Sequence, residues 1–200
     1  MSSNRPFARP SAWLCNHEAL VHEAHELGPV IDLACGRGRH ALHLARAGTP
    51  VIALDRSADH LRELQVHAQR DALPVQPLRC DVETAHGLPL PPESCGAILV
   101  FRFLYRPLAN VIAAALRPGG VLLYETFTLA HRDTGRGPQR EAFYLKRDEL
   151  RTLFPDLEVV AFEEGPESDE RPDITQRLYA RKPHPTADAN RSHPSWPGCS

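Results

Sequence analysis

Two hundred residues are enough for one domain with a buried core. The composition, 42 % hydrophobic and 24 % charged, is that of a globular chain, and no stretch approaches the roughly 20 apolar residues of a membrane-spanning helix. A formal charge of −2 and a pI near 6.6 give no global attraction for nucleic acid or an anionic membrane. The N-terminal MSSNRPFARPSAWL lacks an apolar run of signal-peptide length. The five cysteines (Cys15, Cys35, Cys80, Cys95, Cys199) are spread out and form no CxxC pair, which predicts reduced thiols in a cytoplasmic protein without a zinc site.

In chain order, residues 17–27 predict an amphipathic helix with Leu20, Ala24 and Leu27 on one face, ended by Gly28 and Pro29. A short apolar strand follows at 30–33, then a glycine-containing turn and a helix at 39–47 that Gly48 closes. Residues 50–54 form the second strand, ending at Asp55. Ser57 caps the next helix, whose buried face carries Leu61, Leu64 and Ala68. Residues 75–80 form the third strand, ending at Asp81, and proline-rich 83–94 leaves no room for a full helix. The fourth strand, 97–101, is wholly apolar. A helix at 108–116 and the break Arg117-Pro118-Gly119-Gly120 precede the fifth strand at 121–125.

Beyond that, residues 128–143 read as a polar loop and 146–154 as a helix. Strands near 157–163 and 174–181 read as a hairpin with an acidic connection. The expected domain is 1–182. Residues 183–200 carry too many prolines and too few apolar side chains to fold. The alternation of strand and helix predicts an α/β fold with a doubly wound parallel sheet.

The most informative stretch is Val30-Ile31-Asp32-Leu33-Ala34-Cys35-Gly36-Arg37-Gly38-Arg39-His40. A strand ends in an acid, turns through two glycines and opens a helix whose first N–H groups lack internal partners. Asp55 can accept from the vicinal hydroxyls of a ribose, and Asp81 from the exocyclic amine of an adenine. The run from Gly36 to Ala41 also fits the loose G-x-G-x-x-A pattern of nicotinamide enzymes. Asp32 weighs against a diphosphate at this turn and suits a cofactor bearing a sulfonium and an ammonium.

DLACGRG, VIALD, CD and LRPGGVLLYE, in that order, resemble the class I S-adenosylmethionine-dependent methyltransferases over about residues 28–182. FRFLYRPL and the second half resemble, more loosely, their tellurite-resistance-like branch of small one-domain enzymes. The resemblance implies a Rossmann-like seven-stranded sheet with the last strand antiparallel, and S-adenosylmethionine as cofactor. By the same resemblance Asp32, Ala34, Gly36 and Gly38 surround the methionine end, and Asp55 with Arg56 takes the ribose. Asp81 and Val82 hold the adenine, and Phe101 closes the site. Ala34 stands where the family usually has its first glycine, so a slightly tighter turn is expected.

For the methyl acceptor the candidates are Arg102, Tyr105, Arg106 and Glu125, with a basic loop at 131–140 beside them. Two arginines and a phenol suit an anionic small molecule, though each arginine could instead pair with a carboxylate. The fourth-strand tip lacks the Asn/Asp-Pro-Pro-aromatic run of exocyclic-amine methylases, which argues against a nucleic-acid substrate. His17, His22 and His25 read as a solvated helix face, and His40 as a packing residue. Two other readings stay open: a non-catalytic S-adenosylmethionine-binding regulator or partner subunit, and a nicotinamide-dependent reductase.

Overall fold

The computed structural model describes residues 9–84, 87–167 and 173–185. Helix α1 (Ala12–His25) starts at Ser11, whose hydroxyl accepts the Trp13 N–H at 3.1 Å. This is five residues earlier than its sequence periodicity predicts. Trp13 and Leu14 extend the buried face that continues through Val21 and Ala24. Then come β1 (Val30–Leu33), α2 (Arg39–Arg46), β2 (Val51–Asp55), α3 (Ala58–Arg70) and β3 (Val75–Arg79). Gly48, at φ 92°, closes α2: its N–H reaches Ala45 O (3.1 Å) and Thr49 N–H reaches Leu44 O (3.0 Å). Ser57 caps α3 by accepting from His60 N–H, as expected.

Strand β4 (Cys95–Phe101) is buried throughout, and α4 (Ala109–Ala115) follows a 3₁₀ turn at Arg106–Leu108. Strand β5 spans Leu116–Phe127 and therefore contains the Arg-Pro-Gly-Gly segment expected to precede it. Leu116 pairs with Cys95, and the ladder resumes at Ala97 with Val121, so the four residues between bulge out. Their backbone is satisfied from elsewhere: Gly119 N–H donates to Lys182 O (2.8 Å) and Gly120 O accepts from Lys182 N–H (2.9 Å).

The expected polar loop holds a short helix, α5 (Leu129–Arg132), and a 3₁₀ turn at Glu141–Phe143. The helix expected over 146–154 shrinks to α6 (Glu149–Thr152), because Asp148 sits in the left-handed region (φ 55°) just before it. Strands β6 (Glu158–Pro166) and β7 (Ile174–Arg181) form the hairpin. No helix among the described residues is long and apolar enough to cross a membrane. The expectation for the C-terminal tail lies, from residue 186 on, outside the described residues, and Lys182 itself is hydrogen-bonded into the sheet.

The seven strands run in the order β3-β2-β1-β4-β5-β7-β6. Strand β7 is antiparallel to both neighbours and the other pairs are parallel, as the sequence resemblance implies. Alternate residues of each strand face opposite layers. Ile98 and Val100 face α4 and Phe154, while Ala97, Leu99 and Phe101 face α1 and α2. The order reverses between β1 and β4, and at such a switch point a crevice opens beyond the strand ends.

Candidate active site

A cleft of about 270 Å³ lies at the C-terminal ends of β1, β2 and β3. Ala34, Gly36, Asp55, Arg56, Asp81 and Val82 all line it, so six of the nine predicted cofactor residues come together. Asp55 is the pivot. One carboxylate oxygen accepts Gly36 N–H (2.8 Å) and the other accepts Ser57 N–H (2.8 Å), which fixes the carboxylate against the glycine turn. Each oxygen keeps a lone pair for a ligand hydroxyl. Gly36 has φ 57° and open space where a Cβ would stand. At the far rim Asp81 accepts Glu83 N–H through one oxygen, and Arg56 pairs with Glu83 at 3.2 Å.

The other three predicted residues lie off the cleft wall. Asp32 is buried beneath the start of α2, where it accepts Ala41 N–H at 3.1 Å. Loss of solvent pushes its carboxyl up to about 7. Gly38 (φ 80°) faces α3: a Cβ there would lie 2.4 Å from the Leu64 side chain. Phe101 is buried against the His40 ring, centroids 4.0 Å apart, and Phe103 occupies the cleft wall instead. Ala34 takes φ 56°, so alanine occupies a left-handed position that favours glycine. Ser57 and His60 also line the cleft. Ser57 was legible only as a cap, and nothing in the local sequence marks His60 or singles Phe103 out from its neighbours.

On the acceptor side, the arginines predicted to face an anion are held by carboxylates. Arg106 grips both oxygens of Glu149 (2.5 and 2.9 Å) and donates to Ala142 O and Tyr144 O, stapling the segment before α6. Arg102, at φ 59°, reaches Glu167 (2.6 Å), Glu125 (3.2 Å) and Asp173 (3.3 Å), its guanidinium 4.5 Å from the Phe127 ring centroid. Tyr105 is half-buried against the core. Glu125 is fully buried and accepts the Ser11 hydroxyl, while Ser11 N–H donates to His40 Nε2 at 3.3 Å. Burial pushes the Glu125 carboxyl up and holds His40 far below the ordinary imidazole range. His131 is buried and stacked on Phe127. Its Nδ1 accepts Ile174 N–H, so the ring proton sits on Nε2, 3.6 Å from Asp173. Arg132, in the basic loop, pairs with Glu141.

Residues 30–120 match the family model described as a methyltransferase domain. Among curated proteins the chain is similar to Hemagglutinin 1 of Eikenella corrodens, 30 % identical over 167 residues. That match covers 80 % of this chain and 54 % of the relative, so the chain spans about half the relative's length. TehB from Haemophilus influenzae has a similar structure, with TM-score 0.63 and 20 % identity over 83 % of this chain and 62 % of that one. So does an S-adenosylmethionine-dependent methyltransferase from Mesorhizobium loti, with TM-score 0.64 and 16 % identity over 86 % and 98 %. At these identities the structural likeness is one of fold. The methyltransferase-domain match thus covers β1 through the start of β5, and the seven-stranded sheet shares its fold with these solved structures.

Proposed function

We propose that the chain binds S-adenosylmethionine in the β1–β2–β3 cleft and methylates a small molecule in the cytoplasm. The observation that carries this reading is the Asp55 clamp. A carboxylate immobilised by two backbone N–H groups stands beside a glycine that leaves open space, with Asp81 and Val82 across the cleft. That set of acceptors fits an adenosine. Asp55 would accept from the ribose hydroxyls, Asp81 from the adenine amine, and Val82 and Phe103 would pack on the ring.

When bound, the cofactor supplies a methyl carbon activated by a sulfonium. The protein's own contribution is alignment and exclusion of water. Asp55 fixes the ribose end, while Ser11 and α1 cover the buried Glu125 beside Arg102. The four described cysteines are free thiols, consistent with a reducing compartment. An anionic acceptor would need an available guanidinium. Arg106 is spent on Glu149, and Arg102 faces three carboxylates, so these two residues no longer speak for an anion.

The test is mass spectrometry of ligand retained on purification, followed by a methyl-donor consumption screen across small acids, amines and thiols. Retained S-adenosylmethionine or its demethylated product, with donor consumed by one acceptor class, is the expected result. A retained nicotinamide cofactor and no donor consumption would overturn the proposal.

A further inference from the structure

We propose that the segment following Pro185 turns back over the N-terminal ends of the sheet and seats Trp196 in an apolar groove there. The proposal is independent of the cofactor cleft, which lies at the opposite ends of the same strands. The groove, of about 710 Å³, is built where β1, β2 and β3 begin. Leu27, Pro29, Pro50, Ile52, Pro74 and Val75 line it. All three prolines are exposed, so much of this apolar lining faces water. Apolar surface gathered in one groove favours an occupant that removes it from water.

The path of the chain names the occupant. Just past β7, Lys182 exchanges backbone hydrogen bonds with Gly119 and Gly120 in the β5 bulge, at 2.8 and 2.9 Å. Two residues on, the His184 ring and the Leu27 side chain share the space left by the missing Gly119 Cβ, at 3.0 and 3.4 Å from where it would stand. Leu27 belongs to the groove wall, so by His184 the chain has come from β7 to the lip of the groove. Twelve residues separate His184 from Trp196. Extended, they span up to about 40 Å, against roughly 10 Å from β1 to β3, so any part of the groove is within reach. Among the fifteen residues after Pro185, Trp196 is the one large apolar side chain. Pro194 and Pro197 beside it restrict the backbone, which lowers the entropy lost on docking. His25 also lines the groove, and its buried Nδ1 has no hydrogen-bond partner among the described residues. An indole, apolar with a single N–H donor, suits such a lining.

Fluorescence of the full chain tests this. Trp13 is the other tryptophan and is buried, so the difference between the wild type and Trp196→Ala reports Trp196. Its emission should be blue-shifted and shielded from acrylamide at every protein concentration, and Trp196→Ala should melt roughly 2–4 °C lower. Pro50→Glu and Pro74→Glu each put a charge into the groove at an exposed position, and each should shift Trp196 toward the emission of a solvated indole. A wild-type Trp196 as open to quencher as free tryptophan, or an unchanged melting temperature in Trp196→Ala, would overturn the proposal. So would shielding that survives in both groove variants, since the indole would then sit elsewhere. Shielding that appears only as protein concentration rises would also overturn it, giving the groove to a second copy.

Discussion

Gly36 and Gly38 sit two residues apart in one turn, yet the structure gives them different work. Gly36 leaves open space at the cleft, whereas Gly38 is needed because Leu64 of α3 stands where its Cβ would go. Gly36→Ala should cost about 1 kcal/mol of stability for its left-handed backbone, with the larger effect on cofactor affinity. Gly38→Ala should cost about 2–4 kcal/mol from overpacking and strain, with affinity following only through the fold. Chemical denaturation and calorimetry on both variants separate the two effects, and equal stability losses would contradict the assignment.

Asp32 carries a pH signature. Its folded carboxyl titrates near 7 against an ordinary value of 3.8, so the folded state holds a proton that the unfolded chain releases. Stability from this group is therefore full below about pH 4 and lost as pH rises through about 7, with a slope of up to about 1.4 kcal/mol per pH unit. Asp32→Asn should flatten that slope, so its melting temperature should gain on the wild type between pH 5 and 8. Parallel curves would show that Asp32 titrates normally. Residue types at the motif were legible in the sequence. Their destinations were not, because Leu64 and the α2 backbone that decide them come from other elements. Whether Arg102 and Arg106 face an anion or pair with carboxylates was left open for the same reason: Glu167 lies 65 residues from the first and Glu149 43 from the second.

Among the elements, the two serine caps differ in what they hold. The Ser57 hydroxyl serves α3, accepting from His60 N–H. Ser11 starts α1 and also donates to buried Glu125, joining the N-terminal helix to the end of β5. Ser57→Ala should cost about 1 kcal/mol, the ordinary value of a cap. Ser11→Ala should cost about 2–4 kcal/mol, because a buried carboxylate loses its donor as well. Thermal unfolding of the pair checks this, and similar losses would mean that the contact with Glu125 contributes nothing. Strand and helix types were readable from periodicity and from turn residues such as Gly48. The start of α1 was missed because Trp13 and Leu14 lie before the repeating pattern of Leu20, Ala24 and Leu27. The bulge in β5 was missed because Pro118 and Gly119 ordinarily end a strand, and the Lys182 backbone, which makes the interruption tolerable, is distant in sequence.

In the whole molecule, the doubly wound order places the ends of β1, β2 and β3 side by side, and that juxtaposition makes one cleft from Gly36, Asp55 and Asp81. The alternation of elements in the sequence already implied it. Glu167 and Asp173, beside the ends of β6 and β7, meet Arg102, which no local pattern encodes. The central claim is that this cleft holds S-adenosylmethionine through Asp55. Calorimetric titration of S-adenosylhomocysteine and of NAD into the wild type and Asp55→Ala tests it most directly. The wild type should bind S-adenosylhomocysteine with a Kd on the order of micromolar and NAD far more weakly. In Asp55→Ala the affinity should fall roughly ten- to hundred-fold, with about 2 kcal/mol of stability lost as the Gly36 and Ser57 N–H groups give up their acceptor. Tighter binding of NAD, or unchanged affinity in a folded Asp55→Ala, would contradict it.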